Sequence, residues 1–84
     1  MFTRLKSAVF IDSMVFEFTE QTARSLRAVL IDELGIVCSS LEADVPNGSR
    51  YYQWEGLNDL PYGIYTLEYS NGQEAHRQRM VKRI

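Results

Sequence analysis

The sequence predicts an all-β domain, a sandwich or barrel of six or seven short strands. Three observations carry this. Apolar and polar residues alternate with period two: Met14, Phe16 and Phe18 against Val15 and Glu17, then Tyr65, Leu67 and Tyr69 against Ile64, Thr66 and Glu68. Such alternation marks strands with one buried face. Turn formers separate the segments, in Asp32-Glu33-Leu34-Gly35, Pro46-Asn47-Gly48-Ser49 and Asn71-Gly72. Their spacing of roughly 8–12 residues is that of small sandwiches and barrels.

Each element follows in order. Residues 13–18 form the first alternating strand, and residues 19–24 are a polar connection. In residues 26–32, Leu26, Ala28 and Leu30 share one face and Arg27, Val29 and Ile31 the other. The same region admits a helix over 21–34, because Leu26, Leu30 and Leu34 also repeat at i, i+4. Next comes a type I turn in which Gly35 takes a positive φ, giving a hairpin with a bulge. Residues 36–45 return as a strand. Asn47-Gly48 is a strong hairpin signal, and the aromatic stretch 50–55 reads as the strand beyond it. Residues 57–63 are a wide corner, where Pro61 sets its own φ and Gly63 frees the next. Residues 64–69 alternate, Asn71-Gly72 closes a second hairpin, and residues 73–84 are the last strand with a basic tail.

The totals bound the function. At 84 residues the chain is expected to be one domain spanning 1–84, near the lower end of what folds alone. A formal net charge of −2 supplies no strong field toward nucleic acid or an anionic membrane. One cysteine, Cys38, permits no internal disulfide and no cysteine metal site, and one histidine, His76, permits no multi-histidine site. Near the start, Ala8-Val9-Phe10-Ile11 is shorter than a signal-peptide core. No apolar run approaches the ~20 residues of a membrane helix. No membrane insertion is expected, and if the protein is exported the chain reads as a fragment of a longer precursor that carries the export signal. No nucleophile stands beside a base, the carboxylates are scattered, and no glycine run cradles phosphate. The expectation is no catalytic residue, no cofactor and no metal. His76 reads as a solvated surface residue and Cys38 as a partly buried, inert thiol. Of the adjacent Tyr51 and Tyr52, one must face outward.

The ending, "LNDLPYGIYTLEYSNGQEAHRQRMVKRI", resembles the C-terminal sorting domain of the type IX secretion system of Bacteroidota. The matching residues are Leu60, Pro61, Gly63, Ile64 and Tyr65 at the corner, Asn71 and Gly72 at the turn, and Val81, Lys82 and Arg83 at the end. Upstream, "FIDSMVFEF" is similar to the family's first strand, and "VLIDELGIV" to its Asp-Gly hairpin, so the likeness covers residues 8–84. The chain departs from the family pattern in lacking the opening Pro-Asn-Pro-like element and in carrying Ile36 where an arginine is usual. The resemblance implies an immunoglobulin-like antiparallel β-sandwich of about seven strands. It implies a non-catalytic domain, carried on a secreted cargo through the periplasm to the cell surface. Its partners would be the translocon and shuttle proteins of that system and a sortase-like peptidase. Val81, Lys82 and Arg83 would be the displayed portion, and the last strand an edge open to strand addition or to a weak edge-strand dimer. The alternative is an Ig-like structural or adhesion module of a surface protein, with contacts made by sandwich-end loops.

Overall fold

In the computed structural model, which describes residues 3–5, 7–18, 24–46, 48–71 and 74–83, every regular element among the described residues is a strand. They are β1 (Thr3–Leu5), β2 (Val9–Phe10), β3 (Met14–Phe18), β4 (Arg24–Ile31), β5 (Val37–Val45), β6 (Tyr51–Trp54), β7 (Gly63–Ser70) and β8 (Ala75–Lys82). They form a three-stranded sheet in the order β1-β3-β6 and a five-stranded sheet in the order β2-β8-β7-β4-β5. All neighbours run antiparallel except β2 and β8, which are parallel. The first two strands divide between the sheets, and the chain crosses from one sheet to the other repeatedly. The result is an immunoglobulin-like β-sandwich.

The period-two residues build the core. Met14, Phe16 and Phe18 of β3 and Trp54 of β6 point inward from one sheet. Leu26, Ala28 and Leu30 of β4, Tyr65, Leu67 and Tyr69 of β7 and Met80 of β8 point inward from the other. Phe16 meets Tyr69 edge to face across the layers, with ring centroids 5.6 Å apart, a geometry the ring quadrupoles favour. Tyr51 is the outward member of its pair, while Tyr52 packs against the core.

The helix alternative over 21–34 is settled for the residues described. Residues 24–31 form β4, with Ala28 buried between Leu26 and Leu30, while Leu34 is 84% exposed. Burial thus follows period two rather than i, i+4. The β4–β5 hairpin has the expected turn. Gly35 lies at φ +84°, and the Asp32 carboxylate accepts from the Leu34 and Ile36 N–H groups at 2.9 Å each. The expected loop bulge is there, with the Gly35 N–H on the Asp32 carbonyl at 3.1 Å and the Asp32 N–H on the Ile36 carbonyl at 2.9 Å. A second, unexpected bulge lies in the ladder, where Leu30 pairs with Ser39 and Ile31 with Val37, leaving Cys38 as the extra residue.

One expected hairpin is corrected. Residues 46–49 do turn, with the Ser49 N–H on the Pro46 carbonyl at 3.3 Å. Yet β5 and β6 lie in different sheets, so the turn is a crossover. A turn signal specifies reversal of the chain, not the strand that will receive it. β6 pairs with β3, placing Trp54 beside Met14 and Tyr52 beside Phe16. Asn47 lies outside the described residues.

Candidate functional site

The corner is built from inside. Leu57 is fully buried, and its N–H donates to the Asp12 carbonyl at 3.0 Å, tying the corner to the β2–β3 connection. Leu60 packs against the core. Tyr65, at the start of β7, donates its hydroxyl proton back to the Pro61 carbonyl at 2.6 Å. This is the tyrosine corner of immunoglobulin-type sandwiches. It accounts for the Leu-Pro-x-Gly-Ile-Tyr spacing: proline fixes its own φ at the corner, and the hydroxyl four residues on reaches its carbonyl. Gly63 sits at φ +148° with open space around its α-carbon, so its requirement is conformational rather than steric.

The terminal strand meets the corner directly. Gly63 pairs with Lys82, Ile64 with Val81, and Tyr65 with Met80. Tyr62, Gly63, Ile64, Val81, Lys82 and Arg83 line a shallow cleft of about 360 Å³. The candidate residues Gly63, Val81, Lys82 and Arg83 thus converge on one place, above Leu60, Pro61 and Tyr65. Asn71 lies at the opposite end. It is buried, and its side-chain oxygen accepts from the Glu74 N–H at 3.0 Å while its own N–H donates to the Glu74 carbonyl at 3.2 Å. It therefore shapes the β7–β8 turn. Gly72 lies outside the described residues.

The expectation that residues 81–83 are a displayed end is corrected at Lys82. That residue is 3% exposed, and its ammonium donates to the Arg83 carbonyl at 2.8 Å. The parity of β8 turns Met80 and Lys82 inward and Val81 and Arg83 outward. Nor is this stretch an open edge. The Val81 and Arg83 N–H groups donate to the Ala8 and Phe10 carbonyls, both at 2.8 Å, so β2 covers it.

What sequence reasoning missed is the apolar surround. Val9, Ile11, Leu34, Ile36, Val37 and Tyr62 are large hydrophobic residues left exposed, Tyr62 at 71%. The strand registers place Val9 and Val37 toward the end that holds the corner, and Ile11, Leu34, Ile36 and Tyr62 lie in the segments adjoining the strand ends there. The signal was present in Leu34-Gly35-Ile36-Val37, an apolar hairpin turn where polar residues are usual. The outer row Val9–Val81–Ile64 is apolar, and the next row adds Ile31 and Val37 with exposed Arg79. An apolar floor with Arg79 and Arg83 nearby suits a partner offering apolar side chains beside a carboxylate.

Polar chemistry is sparse here. Burial raises the Cys38 thiol above its ordinary pKa, and the Asp32 carboxylate raises it further. The Tyr65 hydroxyl is likewise raised, by burial first and then by Cys38 and Asp32. Both shifts favour the neutral, unreactive form. His76 is half-buried rather than fully solvated. It stacks beside Tyr69 with ring centroids 5.4 Å apart, and its Nε2 lies 3.0 Å from Glu74 Oε1. Among the described residues no three of His, Cys, Asp and Glu gather as a metal set. Comparison with protein-family models and with curated proteins returns no match.

Proposed function

We propose that this chain is a non-catalytic sorting domain that directs a secreted cargo through the type IX secretion system to the cell surface. Its partners are the translocon and shuttle proteins, with a sortase-like peptidase acting afterwards. The observation that carries this reading is the convergence of two separate motifs, the corner and the terminal strand, on one cleft with an apolar surround. Residues 60–83 are also the part of the sequence that most resembles the family. The buried residues of the motif act by shape: Leu60, Pro61 and Tyr65 hold the corner, and Lys82 fixes the strand end. Tyr62, Val81 and Arg83 are the side chains the partner reads.

The test is export of a periplasm-targeted fluorescent reporter carrying residues 1–84 in a Bacteroidota host. Trimming the end is a poor probe, because Met80 is fully buried and Val81 and Arg83 anchor β2. Point changes avoid this. Arg83→Glu and Tyr62→Ala are expected to lower the surface fraction by roughly tenfold, equivalent to about 1.4 kcal/mol of recognition. Tyr51→Ala, at the far end, is expected to leave it unchanged. Equal export of all four proteins would sink the proposal. A folded parent fusion that stays in the periplasm would favour the adhesion module, which the exposed Leu34 and Ile36 on a sandwich-end loop also suit.

A further inference from the structure

The five-stranded sheet has two unlike edges. On one side β5 pairs only with β4, so its outer edge is open over Val37–Val45 among the described residues. On the other, among the described residues β2 covers Val81 and Lys82 alone, and the rest of β8 is open. Hydrogen-bonding direction alternates along a strand. Because the Val81 and Arg83 N–H groups face β2, those of Arg77 and Arg79 face the same way, toward the open edge. Following the alternation through the registers of β7, β4 and β5 turns the backbone groups of Glu42 and Asp44 to the outer edge of β5. The exposed charges thus sit on the same residues as the free backbone groups: Glu42 and Asp44 on β5, Arg77 and Arg79 on β8.

We infer that copies of this chain join edge to edge, the acidic edge of β5 in one against the basic stretch of β8 in the next. Polarity permits it. β5 and β8 run in opposite directions within the sheet, so two copies in the same orientation meet as an antiparallel pair. The register that sets Glu42 opposite Arg79 and Asp44 opposite Arg77 makes both hydrogen-bonded pairs and both ion pairs at once. It ends where β2 takes Val81. Like edges repel: acid meets acid in a β5–β5 contact and arginine meets arginine in a β8–β8 contact. Charge therefore selects the unlike pairing. Glu42 already lies 3.4 Å from Arg27, and Arg77 2.8 Å from Glu68, but Glu42, Arg27 and Arg77 are largely exposed and only Glu68 is mostly covered, so solvent screens both pairs and they exchange partners at modest cost. Such a contact is heterologous and does not close on itself, so it yields open chains of molecules rather than a two-fold dimer. It is independent of the sorting reading.

Sedimentation velocity on the 84-residue chain, from micromolar to millimolar concentration, reads the assembly. The weight-average mass is expected to climb with concentration at low salt and to fall back toward the monomer at molar salt. The double variants E42K/D44K and R77E/R79E are each expected to stay monomeric, one having two basic edges and the other two acidic ones. Mixed in equal amounts they are expected to reassemble, since every basic edge then finds an acidic one. A parent chain that stays monomeric throughout at low salt overturns the inference. So does assembly of both variants alone, or a mixture that stays monomeric while each variant keeps the circular dichroism of the parent. If a variant fails to fold, the salt dependence of the parent decides: assembly that ignores salt overturns the charge pairing.

Discussion

Tyr65 is the residue at which the corner, the core and the terminal strand meet. Its ring is buried beside Phe10, its hydroxyl binds the Pro61 carbonyl, and its backbone pairs with Met80. Tyr65→Phe keeps the ring and leaves that carbonyl without its partner. The expected cost is about 1–2 kcal/mol of unfolding free energy, measurable by urea denaturation. Tyr65 also sets a pH response, which Tyr69 shares. Both hydroxyls are raised above their ordinary value of 10.0, Tyr69 by burial alone. Between the unfolded and folded values the native state holds more protons, so stability falls as pH rises. The contribution is complete below pH 10 and is lost as pH climbs through the folded values. The thermal midpoint is expected to drop in that alkaline range, and by less in Tyr65→Phe. Lys82 makes a complementary test. Among the described residues the Lys82 ammonium meets only the Arg83 carbonyl, and burying a charge with so little compensation is costly, so Lys82→Met is expected to hold or raise the thermal midpoint. Lys82→Glu is expected to lower stability by at least about 2 kcal/mol.

At the scale of elements, the β7–β8 hairpin carries the site, and Asn71 sets its turn. Removing the side-chain acceptor in Asn71→Ala leaves the Glu74 N–H without that partner. The expected cost is about 1 kcal/mol, visible as faster amide exchange at the hairpin end while the corner keeps its protection. The strands were legible where one face is buried. Met14, Phe16 and Phe18 in β3 and Tyr65, Leu67 and Tyr69 in β7 follow the alternation residue by residue. β4 was ambiguous, because Leu26 and Leu30 satisfy both periods and Ala28 is a weak marker. β1 and β2 were not legible. Three and two residues are too few for a period, and their strand character comes from the neighbours β3 and β8. The 46–49 turn was legible as a turn, but its crossing between sheets depends on where Trp54 finds cover.

For the whole molecule, the sandwich gathers exposed apolar residues at one end and separates acidic from basic charge onto the two edges of one sheet. The first arrangement underlies the export test and the second the sedimentation test. The two can be probed apart, since Arg83 and Tyr62 lie at the cleft while Glu42, Asp44, Arg77 and Arg79 lie along the edges. Read alone, the sequence determined the all-β class, most of the core, the Gly35 turn, the corner and the β7–β8 hairpin. Each of these depends on residues close in the chain, through side-chain period, backbone freedom and local hydrogen bonds. Only the tertiary structure decided that Lys82 is buried, that β2 seals the end of β8, that 46–49 crosses between sheets, and that Leu34, Ile36 and Tyr62 share an end with Val9 and Ile11. Those facts depend on which strands become neighbours. That choice is made by burying faces distant in sequence against one another, which no local pattern encodes.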